Sequence, residues 1–261
     1  MKILVVADLH YSLPQFDWVL QAAPAYDVVV IAGDLLEIAS AVDPGTQIVV
    51  INTYLKRLRQ ATRLLVCSGN HDLDALNADG EKHAAWLEFA KRLAIPIDGD
   101  TILIDGVMIT VCAWWDGPLT LKRIGEQLAA AAPDRIDRWI WVHHAPPSDS
   151  PVSWSGGRHY GDTALSGWIV QYQPDFVFSG HVHEAPFARG GSWVDQIGKT
   201  WVFNAGRQIG DVPTAISIET DAAEAAWFSL EGAEGVHLDL PLTRPIEQLT
   251  AMPEWMLRKE A

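Results

Sequence analysis

The sequence predicts a layered α/β domain with two packed β-sheets. Two patterns predict this class: short apolar runs alternate with helix-like stretches in the first part of the chain, and turn-separated strands follow without helices. With 261 residues, of which 49% are hydrophobic, the chain can bury a substantial core. No repeat or linker interrupts it, so we predict one domain over residues 1–261.

The strands predicted in the alternating part are apolar runs rich in β-branched residues, which is typical of strands buried on both faces. In chain order they are KILVVA at 2–7, DVVVIA at 27–32, LLVCSG at 64–69, WIWVHH at 139–144 and DFVFSG at 175–180. The stretch TILIDGVMITVCAW at 101–114 predicts two further strands. They would be joined at Asp105-Gly106, a dipeptide that favours a tight hairpin.

The helix-like stretches between these strands are 15–23, 47–61, 81–93, 119–132 and 163–172. The second stretch has Asp43 as its expected N-cap and Pro44 in its first turn. From Lys199 onward the pattern changes to short strands with no helix between them, as in an antiparallel sheet. These are TWVFNAG, TAISIET, EAAWFSL and GVHLDL.

The net charge of the chain makes some kinds of binding partner unfavourable. The chain has 19 basic and 33 acidic residues and a net charge of -14, which opposes non-specific attraction to nucleic acid or anionic lipid. The opening MKILVVADLH is too short an apolar run for a signal peptide or membrane span, so we expect a cytoplasmic protein. Cys67 and Cys112 lie in strand-like runs, where we expect buried thiols and neither a disulfide nor a thiolate metal site.

Polar side chains suited to metal binding follow each of the predicted buried strands. The segments are Asp8-Leu9-His10, Gly33-Asp34, Gly69-Asn70-His71-Asp72, His143-His144 and Gly180-His181-Val182-His183. Because ligands bind at the carboxyl ends of strands in open α/β sheets, we expect these loops to form one crevice. Oxygen and imidazole donors without thiolates suit ions such as Mn, Fe, Co, Ni or Zn. The number of donors exceeds one tetrahedral site and suits two ions that share a carboxylate.

In this order, the motifs DLH, GD, GNHD, HH and GHVH resemble those of the calcineurin-like metallophosphoesterases. The resemblance covers the loops from residue 8 to residue 183, and the strand-rich tail is similar to the family's second sheet. It implies a four-layer α/β/β/α fold with two mixed sheets flanked by helices. It also implies a hydrolase that uses two divalent transition-metal ions (Mn, Fe or Zn) and a hydroxide bridging them to cleave a phosphodiester or phosphomonoester.

Position by position, the resemblance implies one ion at Asp8, His10 and His183, another at Asn70, His143 and His181, and Asp34 as the bridge between them. His144 also fits the position of His143, and we favour His143 because it is the first residue after the strand.

The resemblance gives His71 a different role, in which it faces the substrate and protonates the leaving oxygen. We expect Asp72 to orient the His71 imidazole, as the partner of a general acid does.

Substrate selection is only weakly encoded. The loop PPSDSPVSWSGGRHYGD at 146–162 follows the fourth ligand segment, and on it Arg158, His159 and Tyr160 could grip a phosphate or stack on a base. A solvated loop is the alternative. Arg207 in NAGRQIG departs from the small residue that the family often has there, and it could contact phosphate or be a surface charge. The twelve tryptophans are more often core than nucleobase platforms.

Two alternatives remain beside hydrolysis of a small phosphoester. A nuclease would need a basic groove and usually an added domain, and the net charge of -14 speaks against nucleic acid as a partner. A catalytically silent scaffold would be expected to lose some ligands, yet every ligand position and His71 are intact. We therefore expect a small phosphoester as the partner, with no nucleic acid and no membrane.

Overall fold

The computed structural model describes residues 1–253 and 256. Its strands in chain order are β1 Lys2–Val6, β2 Val28–Ala32, β3 Arg63–Cys67, β4 Ala75–Leu76, β5 Lys82–His83, β6 Thr101–Ile104, β7 Val107–Val111, β8 Arg138–Val142, β9 Phe176–Ser179, β10 Val194–Ile197, β11 Thr200–Asn204, β12 Ala215–Glu219, β13 Glu224–Phe228, β14 Ala233–His237 and β15 Glu247–Gln248. Its α-helices are α1 Leu13–Ala22, α2 Pro44–Ala61, α3 Glu88–Arg92, α4 Pro118–Ala131 and α5 Thr163–Tyr172. The predicted domain extends to residue 261, and residues 254, 255 and 257–261 lie outside the described part.

Two mixed sheets form the centre of the molecule. The first has seven strands in the order β15-β14-β13-β12-β1-β2-β3, with β1, β2 and β3 parallel and the other neighbours antiparallel. The second has six strands in the order β10-β11-β9-β8-β7-β6, and β7, β8, β9 and β11 are parallel. A small hairpin of β4 and β5 stands apart.

Alternation along the strands divides the apolar residues between separate cores. Ile3 and Val5 of β1 pack between the two sheets with Ile140 and Val142 of β8. Leu4 on the other face of β1 packs with residues of α1 and α2. Trp139 and Trp141 on the other face of β8 pack with residues of α4 and α5. The order is therefore helix, sheet, sheet, helix, which confirms the predicted four-layer fold.

The helix predicted at 81–93 is wrong in its first half. Lys82 and His83 pair with β4 as strand β5, and α3 starts only at Glu88. The Glu81 carboxylate accepts hydrogen bonds from the backbone N–H groups of Leu119 and Thr120, so it caps α4 instead of starting a helix of its own. Asp43 does cap α2, because its carboxylate accepts the Thr46 N–H at 3.0 Å.

The carboxyl ends of β1, β2, β3, β8 and β9 meet along one edge where the two sheets face each other. Hydrogen bonds join the loops that leave the strands: Asp8 N–H donates to Gly33 O at 3.1 Å, and Gly180 N–H donates to His144 O at 2.9 Å. The backbone N–H of His181 donates to the carboxylate of Asp8, which connects the two sheets. Among the described residues no helix has the length and hydropathy needed to cross a membrane.

Candidate metal centre

Two buried carboxylates lie at the centre of the crevice. The Asp8 side chain is fully buried and that of Asp34 is 2% exposed. The pKa of Asp8 is lowered: burial opposes the charged form, but the positive charge of His144 and hydrogen bonds from His10 and His183 outweigh it. An isolated buried carboxylate pair would be costly, so the site requires positive charge close to both groups.

On one side of the crevice, Asp8 lies beside His10 and His183. The Asp8 Oδ1 is 3.2 Å from His183 Nε2 and 3.7 Å from His10 Nε2, and the two Nε2 atoms are 3.1 Å apart. The Asp34 Oδ2 lies 3.6 Å from the same His10 nitrogen. This arrangement is suited to a divalent ion, since one oxygen and two nitrogens converge from separate loops.

On the other side, Asp34 lies beside His144, His181 and Asn70. The Asp34 Oδ2 is 3.2 Å from His144 Nε2, and His181 Nδ1 is 2.9 Å from Asn70 Oδ1. The rings of His144 and His181 have centroids 5.4 Å apart. Burial, followed by the charge of His144, lowers the pKa of His181 to about 4. The ring is therefore neutral at pH 7 and keeps the nitrogen lone pair that metal binding requires.

The orientation of the His144 ring indicates whether the residues of the crevice fit a metal ion. Its Nδ1 donates to Ala32 O at 2.7 Å, so the neutral ring turns the lone pair of Nε2 toward the carboxylates of Asp8 and Asp34. The buried Nε2 has no hydrogen-bond partner. Burial lowers the pKa of His144, yet Asp34 and Asp8 raise it to about 10. A cation must lie between these groups, either a proton or a metal ion, and the donor set fits the metal.

The preference for His143 over His144 does not agree with the structure. His143 Nε2 lies 3.3 Å from the Asp162 Oδ2, which also accepts from Trp115 Nε1 at 2.8 Å. His143 continues the face of β8 that packs on α4 and α5, whereas His144 continues the face between the sheets. Strand alternation therefore places His144, and not His143, beside the two carboxylates.

His71 lies next to Asp34 and His10. Its ring centroid is 4.5 Å from that of His10, its side chain is 20% exposed, and its backbone N–H donates to Asp34 Oδ1 at 2.8 Å. Ligand atoms of His71, His10 and Asp34 lie within 4.8 Å of one another. His71 is thus both next to the crevice and open to solvent.

Asp72 does not orient His71 as we predicted. One carboxylate oxygen accepts the N–H groups of Leu35 and Leu36 at 3.0 and 2.9 Å, and the other accepts the Gly69 N–H at 2.8 Å. Burial, followed by the charge of Asp34, raises the pKa of Asp72 to about 8. Asp72 instead ties the loop after β2 to the loop after β3. The acid that faces His71 is Glu37, which the sequence motifs did not indicate.

Gly69 and Gly180, which precede Asn70 and His181, lie where the backbone comes very close to the two carboxylates. A Cβ on Gly69 would collide with the Asp34 carboxylate, and a Cβ on Gly180 would collide with that of Asp8. The backbone also has positive φ at Asp8 (54°), Asp34 (53°) and His181 (68°). Non-glycine residues in this conformation are uncommon and are concentrated at functional sites.

Residues 1–185 match the sequence profile of the calcineurin-like phosphoesterases. The chain belongs to this family. No curated protein matches the chain. Among solved structures, TT1561 of Thermus thermophilus is similar, with a TM-score of 0.59 and 14% sequence identity over 91% of this chain and 98% of that chain. At this identity the similarity shows the fold alone.

Two more distant structures of named proteins are also similar. Purple acid phosphatase PPD1 from yellow lupin (Lupinus luteus) gives a TM-score of 0.48 at 12% identity, covering 99% of this chain and 55% of that chain. Vps29 complexed with zinc, from Entamoeba histolytica, gives a TM-score of 0.42 at 14% identity, covering 92% and 100%. Both scores are below 0.5, so neither supports a conclusion about this calcineurin-like phosphoesterase.

In this calcineurin-like phosphoesterase, the loop residues predicted to bind substrate contact other residues of the same loop. Arg158 Cζ lies 4.1 Å from the ring centroid of Tyr160, and His159 Nδ1 is 2.9 Å from Ser153 Oγ. The His159 ring also packs on Trp154, with centroids 4.9 Å apart. These contacts order the tip of the loop, and they do not join the three residues to the carboxylates.

Trp114 and Arg207 contact residues of the crevice itself. The Trp114 ring packs against His181 and His144, with centroid distances of 5.0 and 5.6 Å. The Arg207 backbone N–H donates to His183 O at 3.1 Å, and its charge lies close enough to interact with Glu37 and His183. Cys67 and Cys112 are buried, as predicted, and burial raises the pKa of both thiols.

Proposed function

We propose that this protein is a divalent-metal-dependent hydrolase of small or medium phosphoesters. The observation that carries the proposal is the unpartnered Nε2 of His144, buried opposite the carboxylates of Asp34 and Asp8. A lone pair facing two carboxylates needs a cation between them, and the oxygen and imidazole donors around it suit a metal ion as well as a proton. Membership of the calcineurin-like phosphoesterase family supports phosphoester hydrolysis as the use of that cation.

We assign two sites on the basis of the donors and the family resemblance. Asp8, His10 and His183 would hold one ion; Asn70, His144 and His181 would hold the other; Asp34 would be shared. Two ions with a shared carboxylate are typical of hydrolytic two-metal sites. The oxygen and imidazole donors suit manganese, iron or zinc. When bound, such ions supply Lewis acidity, which lowers the pKa of water and neutralises charge on ester oxygens.

The protein's own residues would divide the remaining work. His71 lies beside His10 and Asp34 and is not in the proposed ligand set, and we propose that it gives a proton to the departing ester oxygen. The Asn70 amide adds a neutral oxygen donor and leaves the site positive enough to receive an anion. We also propose that Arg207, whose charge interacts with Glu37 and His183, attracts the phosphate group.

We propose Arg158, His159 and Tyr160 as contacts to the part of the substrate beyond the phosphate. Contacts within the loop that starts just after His144 hold them in place: Arg158 lies over the Tyr160 ring, and His159 contacts Ser153 and Trp154, with Tyr160 44% exposed. Their role is specificity and not chemistry, because none of them contacts the carboxylates. A phosphodiester and a phosphomonoester both remain compatible with this arrangement.

The test is a panel of substrates offered to protein loaded separately with manganese, iron or zinc. Phosphomonoesters, cyclic nucleotides, dinucleotides and single-stranded DNA are compared, with chelator-treated protein as the control. We expect hydrolysis of at least one small phosphoester that is lost on chelation and restored by metal. Binding to duplex DNA should be no tighter than ordinary non-specific binding, about 10⁻⁴–10⁻⁶ M at physiological salt, because the net charge is -14.

Two results would contradict this function in different ways. Protein that binds metal yet cleaves nothing on the panel would indicate the scaffold alternative. Processive degradation of long DNA would indicate the nuclease alternative.

A further inference from the structure

Trp114 differs from the other tryptophans in the part of the chain that the structure describes. Those others either pack in one of the three apolar cores or, in the case of Trp154, donate the indole N–H to Arg189 O at 3.0 Å. Trp114 belongs to none of these cores, and its indole N–H makes no hydrogen bond with a described residue. Its side chain is partly exposed. Core packing therefore does not explain this large aromatic side chain.

The Trp114 ring borders two of the histidines that we assign to one ion. Its centroid lies 5.0 Å from that of His181 and 5.6 Å from that of His144. The ring planes are inclined by 50° and 63°, so neither imidazole lies flat on the indole. A phosphate bound at these histidines would have the indole as a neighbour.

The segment that carries this ring is fixed at three consecutive residues. The Trp114 backbone N–H donates to the Oγ of Ser68, which directly follows β3, at 3.0 Å. The Trp115 indole N–H donates to Asp162 Oδ2 at 2.8 Å, and the Asp116 carboxylate accepts a backbone N–H of β5 at 2.9 Å. Three separate elements thus hold the segment, so the Trp114 ring loses little freedom when a ligand binds.

The indole adds a kind of surface that the rest of the crevice lacks. The groups around it are carboxylates and imidazoles, which are suited to metal ions and, through them, to the phosphate. An indole instead presents a broad apolar π-face, on which planar rings stack in an offset or tilted arrangement. Stacking of a nucleobase on an aromatic side chain changes affinity by about 10–100-fold and tolerates different bases, because every base has a π-face.

We propose that Trp114 is a specificity-determining residue whose indole stacks on a planar ring of the substrate. The substrates are then phosphoesters that carry a nucleobase or another aromatic group close to the phosphate. This inference rests on the proposed hydrolysis for its effect on turnover, but only on the site for its effect on binding. Because stacking is the same in the bound substrate and in the transition state, Trp114 acts on KM and not on kcat.

Binding of reaction products tests the proposal without hydrolysis. Calorimetric titration of zinc-loaded protein compares adenosine monophosphate and phenyl phosphate with ribose 5-phosphate, which has the phosphate but no aromatic ring. We expect at least one aromatic ligand to bind about 10–100-fold more tightly than ribose 5-phosphate. A preference for adenosine monophosphate alone identifies a nucleobase as the ring, whereas tight binding of phenyl phosphate as well identifies any aryl group.

Substitutions at Trp114 then show whether the indole causes this preference. Trp114→Ala should remove it, and Trp114→Phe should keep most of it. Trp168→Ala is the matched control and should leave it unchanged, because Trp168 is also partly exposed but lies on α5 against Gly125 of α4. Elemental analysis of each variant is needed because Trp114 contacts two proposed ligands.

Three results would overturn the proposal. They are equal binding of the aromatic ligands and ribose 5-phosphate by the wild type, an equal loss for all three ligands in Trp114→Ala, and loss of metal from that variant at saturating zinc. An equal loss would assign the indole N–H to the phosphate itself. In steady-state kinetics, Trp114→Ala should raise KM for aromatic esters by about 10–100-fold and leave kcat and the KM of alkyl esters unchanged.

The two proposals fail in different ways. If the aromatic ligands bind as expected but no ester is hydrolysed, the proposed function fails while the role of Trp114 in binding stands. If esters are hydrolysed with no preference for an aromatic group, the proposed function stands and the role of Trp114 fails.

Discussion

Replacing His71 by alanine should lower turnover of alkyl phosphoesters by about 10²–10⁴-fold, the contribution of a well-placed general acid. The metal content should not change, because His71 is surplus to the proposed ligand set. An alkoxide needs a proton to leave, whereas a p-nitrophenolate leaves nearly unaided. The loss should therefore be large for alkyl esters and small for activated aryl esters, and steady-state kinetics on both, with elemental analysis, measures it.

His237→Ala is the matched control for this substitution. His237 lies on β14 with its side chain 55% exposed, beside Glu224 and outside the crevice. The His237→Ala substitution should leave the turnover of both esters unchanged. Equal losses on alkyl and aryl esters in the His71 variant would instead assign the ring to charge stabilisation, and loss of metal would make it a ligand.

The Asp34→Asn substitution should weaken the binding of both metal ions. Asp34 Oδ2 lies 3.6 Å from His10 Nε2 and 3.2 Å from His144 Nε2, so removing its charge affects both sides of the crevice. The loss of affinity should exceed the roughly 10–100-fold that indirect partners of a metal contribute. Turnover should fall with the metal content. Elemental analysis and competitive titration with a chelator follow both ions.

The control for Asp34 is Asp105→Asn, at an exposed aspartate that pairs with Arg63 on the surface. Thermal unfolding of both metal-free variants separates loss of ions from loss of the fold. If the Asp34→Asn variant keeps one ion at full occupancy, Asp34 is not the ligand that the two ions share.

The strand-end motifs were sufficient to predict the fold class and the crevice, because parallel strands deliver their following residues to one edge. They were not sufficient at β8, where two histidines follow the strand. We favoured the first by its position, yet strand alternation puts His143 on the face of Trp141 and His144 on the face of Val142. Counting alternate residues from the strand would have selected His144.

The partners of His71 could not be read from the motifs. Asp72 follows His71 directly, and that adjacency suggested an interaction that the structure does not show. Glu37 lies far from His71 in sequence, on the loop after β2, where Gln47 hydrogen-bonds to its backbone. Contacts of this kind depend on tertiary packing. The helix expected over 81–93 was wrong for a similar reason, since Glu81 is used to cap α4.

We propose that the residues of this crevice hold two divalent ions around Asp34. Anomalous diffraction from crystals of the manganese- or zinc-loaded protein tests it most directly, because it locates each ion among its ligands. We expect two peaks that share Asp34: one among Asp8, His10 and His183, and one among Asn70, His144 and His181. A peak beside His143, a single fully occupied ion, or no ion within the crevice at saturating metal would contradict the account.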